Sequence, residues 1–254
     1  MSVNSAKFRF YQELNDFLAR KYRKKSFCYT FKNNPSIKDT IEAIGIPHTE
    51  VELILVNGKS VDFDYHLQNG DYVSVYPVFE SLDISPIIKL HSKPLRITKF
   101  ILDTQLGKLA KKLRMLGLDT LYKNSYKDKE IIKISREENR IILTRNKSLL
   151  KNNTVTHGYW IRNTDPDKQL QEIVRRFDLK GQIKPFTRCI ECNGIMKPVN
   201  KKEIMDQLLP KTKKYYNEFY RCSHCNKIFW KGSHYQRMKK NINILVDQEI
   251  SSDG

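Results

Sequence analysis

The tightest constraint on this chain is a pair of cysteine knuckles, Cys189-Ile-Glu-Cys192 and Cys222-Ser-His-Cys225, separated by the 29 residues from 193 to 221. Two CxxC turns can present four thiolates at the corners of a tetrahedron. That is the geometry of structural zinc, in which a full set of protein ligands leaves no position open for catalysis. Unpaired buried thiols or a redox pair are the alternatives. Residues 185–240 are therefore expected to form a zinc ribbon, with His224 on its solvent side rather than acting as a fifth ligand. The remaining cysteine, Cys28, lies in an apolar strand and is expected to be inert. Paired cysteines of this kind read as metal ligands where thiols stay reduced. No apolar run approaches the roughly 20 residues that span a bilayer. The opening MSVNSAKFRF lacks the apolar core of a signal peptide, so the expected address is cytoplasmic, without membrane.

Charge divides the chain. Residues 1–80 hold ten Lys/Arg and ten Asp/Glu, whereas residues 81–254 hold 36 and 18, which accounts for the whole net charge of +18. A neutral region joined to a strongly basic one suggests separate domains, the basic part having the footprint of a polyanion binder. Hydrophobic residues at 39% and charged residues at 29% exclude a disordered chain.

The neutral region, residues 1–80, reads as a small β-rich domain. Strands are expected at Lys7 to Tyr11, Phe27 to Phe31, Val51 to Val56 and Tyr72 to Tyr76. Ser36 and Asp39 start a helix that Gly45 stops, and Asn57-Gly58 is a hairpin turn. Strand, strand, helix, strand, strand is the order of a ubiquitin-like β-grasp. Residues 81–97, with Pro86 and Pro94, show no period and read as a linker. Beyond them strands and helices alternate: strands at Phe100 to Leu102, Leu118 to Tyr122, Ile141 to Thr144 and Tyr159 to Ile161, helices at Gln105 to Leu116, Asp128 to Glu138 and Asp165 to Phe177. This predicts a parallel, three-layer α/β domain over 98–184. The first of its helices buries one face and is expected to present Lys108, Lys111, Lys112 and Arg114 on the other. The segment 241–254 is expected to be a disordered tail.

Ligands of such sheets gather at the carboxyl ends of the strands. Asp103 ends the first strand, Arg145-Asn146 follows the third, and Asp128 and Glu130 open the second helix. Carboxylates brought together there would hold magnesium or manganese, which prefer hard oxygen ligands. Asp128 and Glu130 equally suit a helix first turn, where anions oppose the macrodipole. Asp119 can equally cap a turn, and His157 reads as packed or capping rather than catalytic. Asp103 is harder to dismiss, because a carboxylate directly after a buried strand needs a partner or a metal. In the ribbon, Trp230 and Arg237 sit among rings and cations suited to stacking on unpaired bases. At least one of Phe229 and Trp230 is expected in the ribbon's small core.

The stretch LILVNGKSVDFDYHLQNGDYVSVYPVFE resembles the ubiquitin-like module fused to ribonucleases of the bacterial family named after the C-terminal region of the Mut-seven exonuclease. KFILDTQLGKLAKKLRMLGLDTLY with RIILTRNKSLL is similar to that family's PIN-like ribonuclease domain, and PFTRCIECNGIMKPV with FYRCSHCNKIFWKGSHYQRM to its zinc ribbon. The resemblance implies a metal-dependent ribonuclease with Asp103, Asp119, Asp128 and Glu130 in its acidic site. It also implies RNA as partner, gripped by Lys108, Lys111, Lys112, Arg114, Arg145, Trp230 and Arg237. The family's Thr-Arg-Asp element reads here Thr144-Arg145-Asn146, where the Asn carbonyl can ligate a cation but brings no charge. A non-catalytic RNA-binding protein is therefore the rival. A third reading makes the β-grasp, which ends at Tyr76-Pro77-Val78-Phe79 with no Gly-Gly tail, a docking module for a protein partner in an RNA-processing or ribosomal assembly.

Overall fold

The computed structural model describes residues 3–77 and 98–250. The expected linker at 81–97 lies outside the described residues, as do Val78-Phe79 and the last four residues of the expected tail. In chain order, β1 (Asn4–Phe10), β2 (Phe27–Phe31), α1 (Ile37–Ile44), β3 (Val51–Val56), β4 (Lys59–Val61) and β5 (Tyr72–Pro77) come first. The middle elements are β6 (Lys99–Leu102), α2 (Gly107–Met115), β7 (Asp119–Leu121), α3 (Asp128–Glu138), β8 (Ile141–Thr144), α4 (Lys147–Leu150), β9 (Gly158–Trp160) and α5 (Pro166–Arg176). Last come β10 (Met196–Val199), α6 (Pro210–Tyr215), β11 (Phe219–Cys222), β12 (Ile228–Trp230) and α7 (Ser233–Ile250). They fall into two compact units that do not follow chain order. One combines the N-terminal region with Lys127–Ile161, the other Thr98–Tyr126 with everything from Arg162 onward.

In the first unit the sheet order is β2-β1-β5-β3-β4, with β1 and β5 parallel at its centre and the other pairs antiparallel. This is the expected β-grasp. The Ser36 hydroxyl accepts the Asp39 amide at 3.1 Å and so caps α1. Asn57 and Gly58 both take positive φ, 51° and 81°, the pair a two-residue hairpin requires. The apolar side of α1, with Ile37 and Ile41, closes over Phe8, Phe10, Ile54 and Val75, all fully or almost fully buried. The same unit contains α3, β8, α4 and β9, and β8 pairs with β9 in parallel.

That α/β segment is fastened to the β-grasp by buried polar groups. Glu50, fully buried, accepts the Trp160 amide at 2.6 Å. His48 bridges the Glu42 carboxylate at 2.6 Å and the Val155 carbonyl at 2.7 Å, and Lys151 donates to the Glu42 carbonyl at 2.9 Å. The Phe17 and Trp160 rings meet at 4.9 Å, and the Lys147 ammonium lies 4.7 Å and 3.9 Å from their centres.

In the second unit β6 and β7 are parallel, and α2 packs on β7 and α5. The strands of the α/β region are thus parallel in both units, as expected. Asp165 caps α5 by accepting the amides of Asp167 and Lys168, each at 3.0 Å. The ribbon is a three-stranded antiparallel sheet, β10-β11-β12. Its core is Ile204, Leu208 and Phe219, with Val199, Tyr216 and Ile228 packed against it. Neither Phe229 nor Trp230 joins this core, contrary to expectation, because the 3-10 turn at Lys201–Gln207 supplies Ile204 in their place. The backbone stays helical through Ile250, past Lys240, where disorder was expected. No helix among the described residues is long and apolar enough to cross a membrane.

Candidate metal centre and nucleic-acid site

The four cysteine sulfurs lie within 4.8 Å of one another, Cys189 to Cys225 at 3.8 Å and Cys192 to Cys222 at 3.3 Å. A zinc–sulfur bond of about 2.3 Å gives a tetrahedron with edges of about 3.8 Å, so the spacing fits. Gly194 makes room for it: a Cβ there would stand 2.7 Å from the Cys222 sulfur and 2.7 Å from His224 Cβ. Burial pushes the Cys189 thiol up to about 12. At Cys222 burial acts the same way but is outweighed by the amides of Cys225 and His224 and by the neighbouring thiols, which bring it down to about 7. Such a set could hold a metal such as zinc, whose charge would favour all four thiolates. It is the one group of three or more His, Cys, Asp or Glu found among the described residues that could do so.

The first knuckle is fastened to α2 and β7. Arg114 donates through Nε to the Thr120 carbonyl at 2.9 Å and through Nη1 to the carbonyls of Ile190 and Glu191 at 3.2 and 2.8 Å. It is only 3% exposed, and burial lowers its pKa, opposed by the neighbouring Cys192, Cys189 and Glu191. The expectation that Arg114 faces RNA is therefore corrected: the knuckle covers that end of the helix, and the guanidinium braces it. Asp119 is held at the same joint. Its carboxylate accepts Arg188 Nη2 at 3.0 Å and Asn193 Nδ2 at 2.8 Å, while Asn193 Oδ1 accepts the Thr120 amide at 3.0 Å. Neither Arg188 nor Asn193 was singled out from the sequence. A signal existed: both knuckles read Cys-Asn, and Asn193 and Asn226 both take positive φ.

The other candidates divide between the units. In the second, Asp103 follows the fully buried Phe100, Ile101 and Leu102, is 6% exposed, and accepts the Gln105 amide at 3.0 Å. In the first, Asp128 and Glu130 are exposed in the opening turn of α3, where Glu130 accepts the Lys127 amide at 2.9 Å. Asn146 caps α4, its Oδ1 accepting from the Ser148 amide at 3.1 Å and hydroxyl at 2.6 Å. Half-buried Arg145 accepts Trp160 Nε1 at its carbonyl, 3.3 Å away. His157, half-buried, has its pKa lowered by burial and contacts Thr156 Oγ1 at 3.0 Å, in keeping with a packing role.

On α2, Lys108 is exposed, Lys111 pairs with Glu191 at 3.1 Å and Lys112 with Asp167 at 2.6 Å. A second basic face lies on α3. Lys129, Lys133 and Arg136, at helical spacing, line a cleft of about 580 Å³ with Ile132, Glu137, Asn152 and Thr154, Lys133 standing 3.9 Å from Glu137. The i, i+4, i+7 spacing of these cations is visible in the sequence, although α2 carries the denser run. In the ribbon, Arg237 is exposed on α7 and Trp230 is 36% exposed.

Two family models match. The Mut7-C RNAse domain matches residues 98–242 and the Mut7-C ubiquitin domain residues 3–83. No curated protein and no solved structure matches the chain.

Proposed function

Since the chain belongs to the Mut7-C RNase domain family, we propose that it is a cytoplasmic, metal-dependent ribonuclease acting on RNA. The family match carries this reading, and the position of Asp103 directly after a buried strand supports it. The candidate ligands for magnesium or manganese are Asp103 in one unit and Asp128, Glu130 and Asn146 in the other. Asp119 fits that role less well, since its carboxylate already receives Arg188 and Asn193. A cation so held can activate water and stabilise the charge developing on a scissile phosphate. The residues of the chain itself would meet RNA in each unit separately: Lys108 in one, and Arg145 and the α3 cleft in the other, offer cations to phosphates, which fix register without reading sequence. Zinc on the four cysteines would be structural, its ligand set complete.

A second reading, RNA binding without catalysis, is favoured by Asn146. That side chain brings no charge, and its oxygen already caps α4. A docking role in an RNA-processing or ribosomal assembly would fall to the neutral β-grasp.

The test is cleavage of labelled single-stranded and structured RNAs with magnesium or manganese. The native protein is expected to cut, Asp103→Asn to lose the activity and Asn146→Asp to gain rate. A silent native protein rescued by Asn146→Asp would mark a disarmed site. Silence from all three with RNA still bound would leave the binding reading alone.

A further inference from the structure

The ribbon leaves most of its rings outside its own core. A cleft of about 950 Å³ opens between the loop Pro185–Ile190, helix α6, strands β11 and β12, and the start of α7. Tyr215, Tyr220, Phe229, Trp230 and Tyr235 line it, none of them a member of the core cluster. Tyr215 is 66% exposed. The rings are arranged as partial walls: Trp230 stands 6.2 Å from Tyr216 at 43°, and Tyr235 stands 4.4 Å from Phe186 at 41°. Tyr220, Phe229 and Tyr235 are half-buried, while Tyr215 and Trp230 leave apolar faces in water, which carries a cost in so small a module.

The cations come with the rings. Lys211 lies in the cleft wall, Lys214 sits 5.5 Å from the Tyr215 ring, and Lys231 sits 6.0 Å from the Tyr220 ring while pairing with Glu218. Between residues 185 and 240 there are thirteen Lys/Arg against four Asp/Glu. A proline-rich peptide could lie on aromatic walls, but it would gain little from that positive excess. A nucleic-acid strand uses both features, its bases stacking on rings while its phosphates meet the cations. Duplex bases are already stacked on one another, so the strand must be unpaired. The volume falls within the range of about 300–1,000 Å³ typical of pockets for small organic ligands, so the cleft admits bases rather than a helix.

We propose that this cleft is a stacking site for unpaired bases of single-stranded RNA, with Tyr215 and Trp230 as its principal platforms. It rests on RNA as the ligand of the protein but not on catalysis. The site selects strand state rather than sequence, because every base has a stacking face.

The experiment is fluorescence anisotropy of the full-length protein with labelled oligouridylate and oligoadenylate, and with a duplex of the same length. Magnesium-free buffer keeps cleavage from intervening, and metal analysis reports the zinc content of each variant. Trp230→Ala and Tyr215→Ala are each expected to weaken single-strand binding about tenfold, with duplex binding unchanged and zinc retained. Trp230→Phe should restore most of the loss. Tyr215 stands on α6 and is not one of the four cysteine ligands, so its variant decides the matter if Trp230→Ala loses zinc. Unchanged single-strand affinity in zinc-loaded Tyr215→Ala would overturn the cleft, as would equal weakening of single strand and duplex. So would a proline-rich peptide that binds in place of RNA. A native protein that binds no RNA overturns the RNA reading beneath it. Binding that depends on these rings without any cleavage supports the cleft and counts against the nuclease alone.

Discussion

The β-grasp and the ribbon are both attached to parallel α/β strands through buried polar side chains, but the two joints depend on different things. In the first unit, Glu50 and His48 reach across to the backbone of Trp160 and Val155, and the Phe17, Trp160 and Lys147 stack closes the joint. Every group there is an ordinary side chain on an already folded strand or turn. In the second, Arg114 donates to the carbonyls of Ile190 and Glu191, which are the two residues inside the first cysteine knuckle. Those carbonyls lie in the turn that Cys189 and Cys192 close, so their aim at Arg114 is expected to depend on that closure. The β-grasp joint thus rests on side-chain hydrogen bonds and ring contacts alone, whereas the ribbon joint is conditional on whatever holds the thiolates together. A neutral module fixed by side-chain contacts and a basic module fixed through a cysteine cluster that could hold a metal can be separated experimentally, by attacking one condition at a time.

The largest effect is expected from removing the metal. Structural zinc contributes on the order of 10 kcal/mol to small domains that fold around it, far more than any one hydrogen bond. Cys222→Ser, or a strong chelator, should release the metal and expose the ribbon amides to hydrogen exchange. The Thr120 amide, held by Asn193, should lose protection with them. The Trp160 amide, held by Glu50, should keep its own. Loss of protection at Trp160 as well would erase the contrast between the joints.

Arg114→Met comes next. It leaves the carbonyls of Thr120, Ile190 and Glu191 short of a charged donor and should cost about 3 kcal/mol in the metal-loaded protein, read as a fall in the denaturation midpoint. In chelated protein the same substitution should cost much less, because two of the three carbonyls are no longer fixed. That difference is a coupling energy between Arg114 and the metal. Equal losses with and without metal would show that Arg114 braces α2 and β7 alone.

How much of this was legible in the sequence depended on how local the cause was. The β-grasp elements Phe27–Phe31, Ile37–Ile44 and Val51–Val56 coincide with their expected bounds, because a Ser cap, a Gly stop and an Asn-Gly turn act over four residues. So do Asp128–Glu138 and Ile141–Thr144. The four thiols were legible from spacing alone. Arg114 was not: a helical wheel places it with Lys108 and Lys111, and only contacts 76 and 77 residues away reveal that the knuckle lies over it. A separation of 69 residues likewise hid the bond between Asp119 and Arg188. The ring assignment in the ribbon failed for a related reason, since Ile204 enters that core from a 3-10 turn with no period to announce it.

The smallest effect tests the other joint. Glu50 has no exposed surface and lies in a 3-10 turn just before β3, where it accepts the Trp160 amide at 2.6 Å. Glu50→Ala leaves that amide without this acceptor and opens a small void, at a cost of about 1–3 kcal/mol. Glu50→Gln retains an oxygen of the same reach and should recover part of the loss. The readouts are the exchange rate of the Trp160 amide and the denaturation midpoint. Neither shift should change when the metal is removed, because no ligand to it lies in this unit. A Glu50→Ala penalty that disappears on chelation would mean that the β-grasp joint, too, is set by the cysteines, and that the two modules are held by one device instead of two.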